Sequence, residues 1–189
     1  MRIFGIAPGS TRTGYGCIEY SGSQQRLVTC GAIAAPRRAS LPEKLRVIHG
    51  ELASLLATCQ PTCVAVESLF HARNVQSVLK LAHVRGVVVL AATQADLPVV
   101  EYAPTEIKRA VVGYGRAEKH QVQQMIKLLL GLDEMPTPHD AADALAVALC
   151  HAHNLTPTGS VVDDSAARLS QPRSWRRVKP EKLATRRQS

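Results

Sequence analysis

The order in which the hydrophobic pattern changes along the chain restricts its fold more than any other feature. Residues 2–35 contain three short apolar runs joined by short turns, which predict an antiparallel meander. Between residues 41 and 102, segments with helical spacing alternate with short apolar runs, and crossovers of this kind imply parallel strands. Three more helical segments follow. The pattern therefore predicts an α/β fold, with a mixed five-stranded sheet and helices on both faces.

The element boundaries follow from turn residues and from changes of period. Strands are expected at 2–7, 13–20, 26–35, 62–67 and 98–102, and helices at 41–56, 74–95, 104–112, 118–130 and 139–153. The second half of the expected helix 74–95 is apolar nearly all round. We therefore expect this helix to be buried, either in the core or against a partner subunit.

Residues 1–154 and 155–189 differ in composition. The formal net charge of the chain is +8, and the last 35 residues account for +5 of it, with eight Lys or Arg and three acids. These residues have no hydrophobic period and are punctuated by proline, which predicts a basic, disordered tail after a globular domain. A basic excess favours a nucleic-acid partner, although a solvated tail that only aids solubility would have the same composition.

No targeting segment or membrane span is predicted. The most apolar stretch, residues 86–95, is too short to cross a bilayer, and the first residues lack an apolar targeting run. We therefore expect a cytoplasmic protein without a membrane partner.

Three carboxylates are candidates for chemistry. Glu67 closes an otherwise apolar strand, where it is either solvated or placed for a ligand in the crevice at the strand ends. Asp140 and Asp143 lie three residues apart, on one face of a helix that contains no Lys or Arg. A divalent cation would balance this pair. A first-turn pair stabilised by the helix dipole is the alternative.

A glycine-rich turn follows the first strand. Gly9, Gly14 and Gly16 would let the backbone approach a phosphate or fold tightly back on itself. The segment lacks the lysine and the spacing of a P-loop, which excludes that type of nucleotide site.

These segments together resemble the RuvC family of crossover (Holliday) junction endodeoxyribonucleases. The motifs are Gly-Ile-x-Pro-Gly-Ser at residues 5–10, Ala-Val-Glu-Ser-Leu-Phe at 65–70 and Asp-Ala-Ala-Asp-Ala-Leu-Ala at 140–146, and the similarity covers residues 1–154. The resemblance implies a ribonuclease-H-like fold and a homodimer. It also implies symmetric nicking of four-way DNA junctions with two Mg²⁺ ions per active site, and cooperation with the RuvAB branch-migration complex.

Position 7 departs from the family pattern. By resemblance, the catalytic positions are 7, 67, 140 and 143, and the metal ligands present here are Glu67, Asp140 and Asp143. The family has aspartate at position 7, whereas this chain has Ala7, which offers no ligand. An engineered substitution or a natural variant would give the same residue. We expect cutting to be abolished or nearly so, and junction binding to persist, which would make this chain a non-cleaving junction-binding scaffold.

Resemblance and charge also suggest the residues that face DNA. Phe70 follows Glu67 and could stack on or wedge between bases, although it could equally anchor its loop in the core. The candidates for DNA binding are Phe70, Arg73, Lys80, Lys108, Arg109, Arg116 and Lys119.

Two other enzyme classes share the expected fold. Actin-like ATPases and sugar kinases use two such domains, for which this chain is too short. A ribonuclease-H-like enzyme that cuts RNA–DNA hybrids is the second alternative, and a comparison of hybrid and junction substrates separates the two.

Overall fold

The computed structural model describes residues 1–22, 24–68 and 75–155, and their order of elements is the predicted one. The strands are β1 (Arg2–Ala7), β2 (Arg12–Tyr20), β3 (Gln25–Ala34), β4 (Cys63–Glu67) and β5 (Val99–Tyr102). The helices are α1 (Leu41–Cys59), α2 (Val75–Gln94), α3 (Pro104–Val112), α4 (Lys119–Leu129) and α5 (His139–Leu155).

The strands form one mixed sheet in the order β3-β2-β1-β4-β5. β1, β2 and β3 pair antiparallel, and β1, β4 and β5 pair parallel. The predicted fold class is therefore confirmed. Parallel strands place their carboxyl ends at one edge of the sheet, so β1 and β4 both end at the edge where Ala7 and Glu67 lie.

Alternation along β1 divides the core between the two faces of the sheet. Ile3 belongs to a buried cluster under α3, α4 and α5, whereas Phe4 and Ile6 belong to a second cluster under α1 and α2. The helices thus cover both faces, as predicted. Glu67 lies two residues after Ala65, which packs in the α5 cluster, so the Glu67 side chain points to the α5 face.

Glycines in β1 and β2 allow α5 to approach the sheet closely. A Cβ atom on Gly14 would lie 1.9 Å from the backbone oxygen of Asp140, and one on Gly5 would lie 2.1 Å from that of Ala144. Real Cβ atoms do not come this near, so the sheet can accommodate α5 at this depth only with glycine at these positions. The sequence predicted a turn or a phosphate contact for Gly14. It did not predict the packing of these glycines against α5, because that contact joins segments far apart in sequence.

Helix α2 is only partly buried within this chain, so its predicted burial against a partner subunit stays a prediction. Its buried residues are Val84, Val88, Ala91 and Ala92, and Leu90 on another side is half exposed. Of the described residues, only α2 is long and apolar enough to cross a membrane by length and composition, whereas residues 86–95 alone are too short. Length and composition are the same for a membrane-spanning helix and for an apolar helix that packs against protein.

The described residues belong to a unit that ends at Thr156. The basic tail lies outside the described residues after Leu155, so its predicted disorder stays a prediction.

Candidate active site at the carboxyl edge of the sheet

The end of β1 brings position 7 next to the first turn of α5. Ala7 pairs with Gly14 across the β1–β2 ladder. The backbone of Asp140 occupies the space that a side chain on Gly14 would need. Directly opposed residues of two strands point to the same face. The Ala7 side chain therefore faces the helix turn that carries Asp140.

Glu67 and Asp143 line one cleft with two lysines. The cleft has a volume of about 180 Å³, and its polar lining consists of Glu67, Asp143, Lys108 and Lys119. Apolar residues form the rest of its wall: Pro104, Ile107, Val122 and Ala146. Four predicted site residues from β4, α3, α4 and α5 are thus brought together.

The two lysines are held by different partners. Lys119 Nζ donates to Asp143 Oδ2 at 2.9 Å, and Lys108 Nζ donates to the backbone oxygen of Ala117 at 2.8 Å. The lysine of the ion pair is well exposed, so this contact adds little to stability. It places a cation at the mouth of the cleft, where an anionic ligand could meet it.

Charge repulsion within the cleft is only partly balanced. Burial, and then the neighbouring Asp143 carboxylate, raise the pKa of Glu67, and Lys119 and Lys108 oppose that rise. The net direction shows that the two cations do not fully offset burial and the second acid. A carboxylate with a raised pKa in a cleft is a common feature of functional sites.

Asp140 lies outside the cleft lining, beside a residue that the sequence analysis did not select. Arg12 Nη1 is 4.0 Å from Asp140 Oδ2, and both side chains are partly exposed. No Lys or Arg lies within α5, but Lys119 and Arg12 reach its acids from α4 and β2. The one sequence signal for Arg12 as a site residue was its position between Gly9 and Gly14 in the glycine-rich segment.

The donors at this edge have the chemistry that a hard divalent cation prefers, but their number is small. Carboxylate oxygens suit Mg²⁺, and a cation would relieve the repulsion between Glu67 and Asp143. Among the described residues, no group of three or more His, Cys, Asp or Glu side chains is close enough to hold a metal ion. Glu67 and Asp143 therefore fit such a cation as a pair, and Ala7 adds no oxygen to them.

Three further predicted residues do not line the cleft. Arg109 on α3 and Arg116 after it are exposed, and Lys80 is exposed on α2, across the sheet from α5. Phe70 and Arg73 lie outside the described residues.

Comparison with known proteins finds similarity to junction endonucleases. Residues 3–151 match the family model for crossover junction endodeoxyribonuclease RuvC. A protein of that name from Heliobacterium modesticaldum is 51% identical over 82% of this chain and 96% of its own length. Another of that name, from Syntrophomonas wolfei, is 44% identical over 92% of this chain and 100% of its own.

A solved structure is similar to this chain in both fold and sequence. It is Thermus thermophilus RuvC in complex with a Holliday junction substrate, and it matches with a TM-score of 0.75 at 33% identity. The match covers 81% of this chain and 94% of that chain.

Proposed function

The chain belongs to the RuvC family of crossover junction endodeoxyribonucleases, enzymes of DNA recombination and repair, and we propose that it binds four-way DNA junctions without nicking them. The observation that carries the second part is the position of Ala7. It ends β1 beside β4, whose last residue is Glu67, and it faces the helix turn of Asp140. A carboxylate here would stand between the other acids.

The acids at this edge would hold Mg²⁺ as the cofactor. Glu67 and Asp143 share a cleft, and Asp140 is on the preceding helical turn. Two Mg²⁺ ions, when bound, supply a water activated for attack on the scissile phosphate and stabilise the leaving 3′ oxygen. With alanine at position 7, the cleft keeps Glu67 and Asp143. The carboxylate that would stand between this pair and Asp140 is absent.

The lysines would hold the DNA backbone over the acids. Lys119 is exposed at the cleft mouth and already pairs with a carboxylate, so it can exchange that anion for a phosphate oxygen. Lys108 lines the same cleft. Neither lysine depends on position 7, which is why junction binding should survive the loss of cutting.

Helix α2 supports a homodimer. Leu79, Ala82, Gly86 and Leu90 are exposed and follow one another at steps of three and four, so they share one face of the helix. A Cβ atom on Gly86 would meet nothing within 4 Å, which leaves room for a second helix to approach. A two-fold dimer would present two sites to the two symmetric strands of a junction.

The dimer is tested by Leu90→Lys, with Leu128→Lys on α4 as the matched control, because both leucines are exposed. Sedimentation equilibrium should show that the first variant dissociates and that the second stays dimeric. A monomeric unaltered chain, or equal behaviour of the two variants, would contradict this interface.

Further parts of the proposal concern the other DNA-facing residues and the setting of the protein. Phe70 would wedge between bases at the junction centre, with Arg73 on the backbone. Lys80, Arg109 and Arg116 would also contact the phosphate backbone. The RuvAB complex is the proposed protein partner, and the cytoplasm is the proposed compartment.

The test of this function compares a four-way junction, an unbranched duplex and an RNA–DNA hybrid in binding and Mg²⁺-dependent nicking assays. We expect preferential binding of the junction and no nicking of any substrate. Equal binding of all three would refute junction recognition. Cutting of the hybrid alone would support a ribonuclease-H-like activity instead.

A further inference from the structure

A second set of basic side chains lies at the same edge of the sheet, on the β2–β3 side. β2 begins with Arg12 at this edge, and β3 ends there because Ala34 pairs with Arg12. The segment after β3 carries Arg37 and Arg38, and both are exposed. These three arginines are separate from Lys108 and Lys119, which approach the site from α3 and α4.

Hydrogen bonds hold this segment against the start of β2. The backbone N–H of Ala35 donates to the oxygen of Thr11 at 3.2 Å, and Lys44 Nζ donates to the backbone oxygen of Arg37 at 3.2 Å. Ser40 then caps α1, which begins at Leu41. The two arginine side chains are thus mounted on a backbone that is tied at both ends, and a fourth cation lies beside them.

The charge of two members of this set, Arg37 and Arg38, is not neutralised locally. Within the part of the chain that the structure describes, no ion pair holds Arg37 or Arg38. The nearest acid in sequence, Glu43, accepts hydrogen bonds at 2.8 Å from both the N–H and the hydroxyl of Ser40, and these bonds lower its pKa. That carboxylate is therefore committed to the start of the helix.

The opposite end of β3 shows a different arrangement. There Arg26 is paired in register with Glu19, which also lies 3.8 Å from the side chain of Arg2. Cations at that edge have an acid beside them. At the site edge Arg12 has Asp140 at 4.0 Å, whereas Arg37 and Arg38 have no ion-pair partner among the described residues. Along β2 and β3, the unpaired positive charge thus lies toward the edge that carries the candidate active site.

We infer that Arg37 and Arg38, together with Arg12, form a second phosphate-contacting surface, which holds a duplex arm of the junction. β1 and β3 are separated by one strand, so the surface begins roughly 10 Å from position 7, about three base pairs along a duplex. Lys108 and Lys119 lie on the other side of the acids. DNA that crosses the site would then be held on both sides of the phosphate that faces Glu67.

This inference rests on the proposed function, and its test measures how salt weakens binding of a four-way junction by the full chain. Each phosphate contact contributes about 0.9 to the slope of log affinity against log salt concentration. The double variant Arg37→Gln, Arg38→Gln should lower that slope by up to about 1.8, with each single variant giving about half. Arg26→Gln is the matched control, an exposed arginine on the same strand pair at the far edge, and its slope should equal that of the unaltered chain.

The outcomes separate the two proposals. If the unaltered chain binds the junction and the double variant has the same slope as Arg26→Gln, the second surface is refuted and junction binding stands. If the unaltered chain binds no DNA, both fail. A lowered slope with an unchanged thermal unfolding curve supports the surface, because the folded state is then intact.

Discussion

The Glu67 side and the Ala7 side of the site differ in how many of their functional groups are present. On the first, Glu67, Asp143 and Lys119 line one cleft from three separate elements. On the second, Ala7 faces the helix turn that carries Asp140, and the charged neighbour of Asp140 is Arg12 at 4.0 Å. The first side has paired acids with a raised Glu67 pKa, and the second has one acid and no second carboxylate.

From this difference we expect binding and cutting to depend on separable parts of one edge. The lysines proposed to contact phosphate do not depend on position 7, whereas the proposed metal cluster would need carboxylates from both sides. A chain that lacks one central acid should therefore lose chemistry and retain its hold on DNA. The backbone under both sides is the same, because Gly14 and Gly5 set the depth of α5 for the whole site.

The largest expected effect comes from Gly14→Ala, which would push the first turn of α5 away from β2 on the Ala7 side of the site. Its Cβ would lie 1.9 Å from the backbone oxygen of Asp140, so the first turn of α5 must move. We expect the free energy of unfolding to fall by about 1–3 kcal/mol or more. Urea unfolding measures it.

Gly50→Ala is the control for that substitution, because a Cβ there meets nothing within 4 Å and the residue lies inside α1. It should stabilise the chain by about 0.5–1 kcal/mol. Equal effects of the two substitutions would contradict the close packing of α5.

A smaller effect is expected from Lys119→Gln on the Glu67 side. Loss of one phosphate contact should lower the salt slope of junction binding by about 0.9, with weaker binding to every junction sequence. Lys127→Gln, in the last turn of the same helix, is the control and should leave the slope unchanged. An unchanged slope in both variants would remove Lys119 from the DNA-contacting set.

The smallest effect concerns the acids of the cleft. Asp143→Asn removes the second cause of the raised Glu67 pKa, so that pKa should fall toward its ordinary value. In the unaltered chain, the folded state binds the Glu67 proton more tightly than the unfolded state does. Ionisation of Glu67 therefore lowers the free energy of unfolding as pH rises from 4.5 through the folded-state pKa. The substitution should reduce that loss of stability. Carboxyl NMR titration measures the pKa, and an unchanged or higher value would show that the two acids do not interact.

The elements were predictable from sequence to within three residues, because each carries its own hydrophobic period and turn signals. Glu67, Asp140 and Asp143 were selected because carboxylates stood out in apolar surroundings. Their division into a cleft pair and a separate Asp140 was not predictable, since it depends on how α5 lies across β1 and β2.

Contacts between distant segments account for what the sequence did not reveal. Arg12 meets Asp140 only because β2 begins under the first turn of α5, and Lys119 meets Asp143 from another helix. Gly14 was interpreted from its own turn, whereas its role is set by a helix more than 120 residues later. The match between strand glycines and the alanines of α5 was the available signal.

The most direct test of the account is Mg²⁺-dependent nicking of a four-way junction by the unaltered chain, Ala7→Asp and Ala7→Asn. A missing ligand costs several kcal/mol of transition-state stabilisation, so Ala7→Asp should cut about 100-fold faster or more than the other two. All three should bind the junction with similar salt slopes. Equal, robust cutting by the unaltered chain and Ala7→Asp would contradict the claim that position 7 separates binding from cutting.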